Sequence, residues 1–337
     1  MSPPRPLSAP ELEGALGALA ARAAALRAAL GGVLLDSAPL VEGLLVSAVT
    51  HGHALLEGPP GVGKTLAVRA LSACLGLRWA RAQMTPDLMP SDLIGGQQLT
   101  PSPEGPRLSF VPGPVFTELL FADELNRASP RAQAALLEAM EERQVTIDGA
   151  PRPLGPPFIV LATQNPIEVE GTFALPEAQA DRFLQRLLVP HPTPAALDAL
   201  LSFEPREALA RLAAAGPVAS REEALGWPAV AREVLLPSRL RARLVRLAVL
   251  TRPSEAPREL RGLLEDGVSP RGAQALYRAA QARAALDGRA HAREEDLARS
   301  AVPCLAHRLR LTWDAKADRA RPEELVERLW AESGRQG

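Results

Sequence analysis

The residues with the clearest chemistry stand in one octapeptide, Gly58-Pro59-Pro60-Gly61-Val62-Gly63-Lys64-Thr65. It has the spacing G-x-x-x-x-G-K-[ST], in which glycines let backbone N–H groups close around a phosphate. In that pattern Lys64 reaches the β- and γ-phosphates and the Thr65 hydroxyl ligates Mg²⁺. A Gly/Pro-rich turn alone could carry the same letters, so the flanks decide. Ala54-Leu55-Leu56 reads as a buried strand, and Leu66 to Leu75 has the apolar spacing of a helix. The motif therefore falls between a strand and a helix N-terminus, where the helix dipole adds positive potential. Lys64 and Lys316 are the only two lysines in an arginine-rich chain. A lysine in this slot suggests a need for a compact ammonium.

Further chemistry gathers at strand ends. Leu119 to Ala122 is a buried strand run closing on Asp123-Glu124. In a parallel α/β sheet, ligands bind at the carboxyl ends of the strands. Asp123 would hold Mg²⁺ through water, and Glu124 would orient or deprotonate an attacking water. Phe158 to Thr163 is a second such strand, and Asn165 follows it on the same edge. Ser269-Pro270-Arg271 begins a helix with an N-cap and a proline. A cation in that first turn opposes the helix dipole. An anion partner such as a γ-phosphate would explain it; a plain surface arginine is the other reading.

The elements that must position these residues follow in order. A capping-box spacing at Ser8 and Glu11 opens a long Ala/Leu helix that stops at Gly31-Gly32. A second helix fits Ser37 to Thr50, and a strand fits Trp79 to Met84, ending in the polar Gln83. Thr85 to Gly96 reads as an ordered loop with a short helix at most. Gln97 to Val111 suggests a hairpin inserted in a helix, with a surface loop as the other reading; Ser129 to Arg143 suggests an amphipathic helix, and Gln144 to Phe158 a second hairpin, with strands at Gln144–Asp148 and Pro153–Phe158. Leu175 to Phe183 starts a helix and ends in Asp-Arg-Phe, and Leu187 to Val189 is a last strand. A Pro-rich linker closes a first domain, 1–194. From Ala195 the pattern is entirely helical, giving a second domain, 195–337. Met1 to Pro6 is Pro-rich and is expected to be disordered.

A net charge of −1 argues against a general nucleic-acid or membrane-surface protein. No apolar run approaches the roughly 20 residues of a membrane span. Cys74 and Cys304 read as small core residues rather than a disulfide. No two of the five histidines share a metal-site spacing with a third ligand. The chain is expected to be cytoplasmic and reduced.

Taken together, these segments resemble the MoxR family of AAA+ ATPases. The resemblance is carried by LLEGPPGVGKT (55–65), MTPDLMPSDLIG (84–95), GPVF (113–116), ADELNRASPRAQAALLEAMEERQVTI (122–147), ATQNPIEVEGTFALPEAQADRF (162–183) and GVSPRGAQAL (267–276). It implies an α/β fold: an αβα P-loop domain with a parallel sheet, then an all-α lid, assembled as a homo-oligomeric ring, usually a hexamer, with ATP between subunits. It implies ATP and Mg²⁺ as cofactors. Gly58 through Leu66 would form the nucleotide loop, with Gly61, Gly63, Lys64 and Thr65 as Walker A and Asp123 and Glu124 as Walker B. Asn165 matches sensor 1 and Arg271 sensor 2. Arg182 looks like the arginine finger offered to the neighbour, and Arg127 would approach the same interface. The 97–110 stretch looks like the helix-2 insert and 144–158 like the pre-sensor hairpin. His307-Arg308 also resembles a family feature, with no physical role legible in the sequence. Relatives commonly carry a Val-Gly-Gln-like stretch at the adenine; here Val33-Leu34-Leu35-Asp36 stands there, leaving the adenine contacts unassigned.

The function implied is ATP-driven remodelling of protein complexes, in assembly or activation of metal-dependent proteins, beside a partner with a von Willebrand factor A domain. A nucleic-acid motor and the ATPase subunit of a metal-chelatase-like complex are the alternatives. Near-neutral charge and hairpins whose basic residues are Arg107 and Arg152 count against the motor. A nucleotide-gated scaffold would need a broken site, and the hydrolytic set is complete.

Overall fold

The computed structural model describes residues 7–101, 105–165, 173 and 175–335. The expected disorder of Met1 to Pro6 lies outside them. In chain order come α1 (Ala9–Gly31), α2 (Ala38–Thr50), β1 (Ala54–Glu57), α3 (Lys64–Leu75), β2 (Trp79–Gln83), α4 (Pro90–Ile94), β3 (Gly95–Thr100) and β4 (Arg107–Pro112). Then follow β5 (Leu119–Asp123), α5 (Pro130–Glu142), β6 (Gln144–Ile147), β7 (Ala150–Pro153), β8 (Ile159–Gln164), α6 (Glu177–Ala180) and β9 (Gln185–Leu188). The rest is α7 (Pro194–Leu201), α8 (Pro205–Ala214), α9 (Arg221–Arg232), α10 (Ser238–Leu250), β10 (Leu264–Asp266), α11 (Pro270–Leu286), α12 (Glu294–Leu305), β11 (Arg310–Leu311), α13 (Trp313–Ala317) and α14 (Pro322–Ser333).

Five strands make one parallel sheet in the order β2-β5-β8-β1-β9. Strands β5 and β8 are apolar on both faces because helices cover both. The period of two divides them cleanly. Leu56, Leu119, Phe121, Ile159 and Leu161 face a core shared with α1, α2 and α3. Leu55, Leu120, Ala122, Val160 and Ala162 face α5 through Leu136 and Met140. The register pairs Gln83 with Asp123 and Glu57 with Gln164. All the polar strand ends thus share one edge.

The first two helices do more than flank the sheet. α1 buries Leu16, Leu19, Ala23, Leu26 and Leu30 against α2, α3, α9 and α11, and α2 packs on α9 and α11. The C-terminal helices therefore rest on the N-terminal ones. They are not purely helical. β10 and β11 pair antiparallel, Leu264 opposite Leu311. Strands of three and two residues are too short for an alternating pattern to declare itself.

Both expected hairpins form. In the first, Gln97 opposes Phe110 and Leu99 opposes Leu108. It opens at Gly95, whose φ is 84° and where a Cβ would stand 2.3 Å from the Val111 carbonyl oxygen, so only glycine fits. The second turns at Asp148-Gly149, both with positive φ, as a two-residue hairpin requires. Its return strand is Ala150–Pro153, earlier than the expected 153–158. The Asp-Gly turn lets pairing resume at once. Arg152 stacks 3.9 Å from the Phe110 ring and ties the two hairpins together.

Candidate functional site

The loop between β1 and α3 takes the shape its glycines permit. Gly61 and Gly63 have φ of 81° and 88°, and Gly63 caps α3. A Cβ on either would meet no atom within 4 Å, so the backbone faces open space. Lys64 Nζ donates to the carbonyls of Gly58 (2.5 Å) and Pro59 (3.1 Å). The ammonium is thereby folded over its own loop. A cleft of about 390 Å³ opens here, lined by Pro60, Gly61, Gly63, Lys64, Thr65 and Leu66 together with Asp123, Glu124 and Asn165. One cleft thus gathers these residues from three separate strand ends.

The acidic pair is braced from both sides. The Glu124 N–H donates to Thr163 Oγ1 at 2.8 Å, and that hydroxyl donates to Asp123 Oδ1 at 2.7 Å. Glu124 sits at φ 59°, a strained conformation for a non-glycine residue. The Thr163 hydroxyl satisfies its N–H in that conformation. On the edge strand, Arg81 Nη2 lies 2.6 Å from both Asp123 Oδ2 and Gln83 Oε1. Gln83 Nε2 donates to Glu124 Oε2 at 2.9 Å. Arg127, expected near an interface, lies 3.4 Å from Glu124 of its own chain. Asn165 is buried and its carbonyl accepts from Asn126 at 3.4 Å.

Beside this cleft lies a second, apolar cavity of about 430 Å³. Val33, Leu34 and Leu35 form one wall, Leu188 and Val189 another, and Phe203 and Pro205 a third. Gly61, Gly63, Leu66 and Pro205 line both cavities, and Val62 lines the apolar one. The stretch 33–36 that departs from the family pattern is thus where a base-sized apolar group would sit. Gly58 packs against Val189 in the wall of this cavity: a Cβ there would stand 2.2 Å from the Val189 carbonyl oxygen.

Arg182 and Arg271 are elsewhere. They line a third cavity of about 290 Å³, and both pair with Glu141, Arg182 through Nε at 2.6 Å and Arg271 through Nη2. The Arg182 hydrogen bond holds the Glu141 carboxyl below its usual range against some desolvation, and Arg271 adds to the effect. The arginines have a common support. Ser269 Oγ, the cap of α11, donates to both oxygens of Asp181 at 2.9 Å. Arg308 Nε lies 2.7 Å from Asp181 Oδ1, and Nη2 donates to the carbonyls of Asp181 (2.8 Å) and Phe183 (2.5 Å). His307 Nε2 lies 3.3 Å from the Phe183 carbonyl. The pair His307-Arg308 therefore holds the backbone on either side of Arg182.

No local pattern in the sequence marks Glu141 or Arg81 as part of a site, and Thr163 is marked only weakly. A threonine inside the apolar run IVLAT was the one visible hint. The donor set fits Mg-ATP: a hydroxyl on Thr65 and a carboxylate on Asp123 share one cleft with the open-faced glycines, and an apolar cavity adjoins it.

Comparisons with known proteins agree with this fold. Residues 53–185 match the family model "ATPase family associated with various cellular activities (AAA)", and residues 262–329 match the AAA lid domain. A chaperone named MoxR1 from Mycobacterium tuberculosis is 38% identical over 88% of this chain and 78% of its own length. Protein MoxR from Paracoccus denitrificans is 36% identical over 85% of this chain and 87% of its own. A crystal structure of a candidate ATPase from Cytophaga hutchinsonii superposes with a TM-score of 0.84 at 33% identity, covering 95% of this chain and 96% of the other. Among the described residues no helix is long and apolar enough to cross a membrane. The chain belongs to the MoxR family of AAA+ ATPases.

Proposed function

We propose that the protein is a chaperone-like remodeller that hydrolyses ATP at sites shared between adjacent copies of a ring, a hexamer as in its superfamily. The observation that carries this is the separation of the two half-sites. Arg81 and Arg127 are paired with Asp123 and Glu124, the carboxylates of the cleft, and neither is among its described lining residues, while Arg182 and Arg271 line a different cavity. Phosphoryl transfer needs cationic stabilisation of its charge, and an arginine finger is worth about 10³–10⁵ in rate. Each chain would therefore complete its neighbour's site.

Bound ATP with Mg²⁺ supplies the phosphoryl group and neutralises part of its charge. Thr65 and Asp123 would hold the metal, and Gly58 through Leu66 the phosphates. Lys64 would leave its loop carbonyls for the phosphate oxygens. Glu124 would orient and deprotonate water once Gln83 releases it, with Asn165 beside it. Val33, Leu34, Val189 and Phe203 would enclose the base. The client would be a protein, as the name of the relative called a chaperone suggests, reached in the cytoplasm beside a partner with a von Willebrand factor A domain. The cross-strand pair Leu99 and Leu108, 72% and 60% exposed on the first hairpin, favours a protein over a nucleic acid as the thing gripped.

The test is subunit mixing. Arg182→Ala and Lys64→Ala are each expected to abolish turnover alone. A mixture should recover activity, because one interface type then pairs an intact loop with an intact arginine. No recovery at any ratio, with mixed assembly verified, would refute the shared site.

A further inference from the structure

Arg182 and Arg271 reach one carboxylate by different edges. Arg182 gives Nε to Glu141 Oε2, and Arg271 gives Nη2 to Oε1. Neither side chain makes another hydrogen bond among the described residues. A guanidinium has five N–H donors. Each arginine thus commits one donor and keeps the rest, including both terminal nitrogens of Arg182. Two cations held side by side repel, and the carboxylate between them offsets that repulsion.

Local electrostatics makes the arrangement harder to dismiss as incidental. Glu141 stands in the last turn of α5, where the dipole disfavours an anion. Arg271 stands in the first turn of α11, where it disfavours a cation. Each is misplaced on its own helix, and each is accounted for by the other. Arg182, just beyond α6, is the third member.

We propose that Glu141 is a positioning residue: it holds Arg182 and Arg271 as a pair, by one edge each, so that their free N–H groups face a single anion, the terminal phosphate of the nucleotide on the adjacent chain. This rests on the shared-site reading above. It makes the carboxylate part of the device that delivers both arginines together.

Glu141→Gln keeps the shape and removes the charge. It is expected to lower kcat about 10–100-fold, the scale of a misplaced catalytic group, with KM for ATP within a few-fold of wild type. Glu141 acts through the arginines, so combining it with Arg271→Lys should cost less than the product of the two single losses. A second readout is assembly. In a Glu124→Gln background, sedimentation velocity should show a smaller ATP-specific gain in assembly for Glu141→Gln, with assembly in ADP unchanged. A raised kcat would overturn the proposal, because Glu141 would then be a lock. Strictly multiplicative losses, or equal weakening in ATP and ADP, would overturn it as well. If Arg182→Ala stays active, the shared site itself falls. If Arg182→Ala is dead and Glu141→Gln is active, only this inference falls.

Discussion

The Arg308 guanidinium lies on the Asp181 carboxylate, Nε 2.7 Å from Oδ1, with the arginine side chain only 3% exposed. The same guanidinium donates to the carbonyls of Asp181, Phe183 and Leu184 from one chain segment and of Cys304 from another. A residue near the end of the chain thus fixes the backbone that carries Arg182.

Arg308→Ala should strike stability and turnover together. Removing one partner of a buried pair leaves the other charge uncompensated, at a cost of about 3–5 kcal/mol. The thermal midpoint should fall by several degrees. Turnover should fall further than nucleotide affinity, because Arg182 loses its support and the P-loop does not. Thermal scans and nucleotide titrations check this. A midpoint within a degree of wild type would contradict the role given to Arg308.

How much of this was legible in the sequence follows from the range of each interaction. The P-loop, Asp123-Glu124 and Asn165 could be read because fixed local spacings tie them to strand ends and helix starts. The pattern of the first hairpin fitted a surface loop equally well, while the second could be read from its turn at Gly149. Arg308 could not. Its carboxylate partner Asp181 lies 127 positions away, so the likeness of His307-Arg308 to a family feature gave no physical role. The apolar cavity was hidden for a similar reason. Its walls come from 33–36, 188–193 and 200–205, and only folding brings them together. The β10–β11 pair was lost because Leu264, Leu309 and Leu311 fit a helix equally well.

Gly58→Ala probes the contact between the phosphate loop and Val189 in the wall of the apolar cavity. The clash is with backbone, the Val189 carbonyl at 2.2 Å, and Val189 N–H is itself bonded to the Glu57 carbonyl at 2.7 Å. That end of β9 cannot move away without breaking the sheet. Overpacking of this kind costs about 1–3 kcal/mol. The displacement passes into Val189, which lines the cavity proposed for the base, so ADP affinity should drop about tenfold or more, as 1.4 kcal/mol predicts. Calorimetric titration with ADP measures it directly. Unchanged affinity would mean the pocket beside Val189 does not hold the base.

Arg81→Ala tests the brace on the acidic pair. The guanidinium sits 2.6 Å from Asp123 Oδ2, where it competes with any cation the carboxylate would take. The side chain is about half exposed, so the contact is worth no more than about 1 kcal/mol. Removing it should raise the Mg²⁺-dependent gain in ADP affinity by about two- to fivefold, the equivalent of that energy. Titrations with Mg²⁺ and with EDTA give the gain. A smaller gain in the variant would make Arg81 a support for the metal rather than a competitor.

His53 predicts how the fold responds to acid. Its Nδ1 accepts the Val160 N–H at 3.0 Å, so the neutral ring carries its proton on Nε2, 3.2 Å from the Met140 carbonyl. Burial pushes the imidazole pKa down to about 3, and nearby Arg143 adds to the shift. In the unfolded chain the value is about 6.5. Between those two values the unfolded chain binds the extra proton, so stability rises with pH. The contribution is complete above about pH 6.5 and falls by about 1.4 kcal/mol for each unit below it. Burial shifts His51 the same way. His53→Gln should be less stable at neutral pH, yet its stability should change less between pH 7.5 and pH 5. Urea midpoints across that range supply the comparison. A variant whose slope equals that of wild type would show that the ring takes up its proton at the same pH folded and unfolded, so that burial and the bond from Val160 N–H to Nδ1 do not hold it neutral.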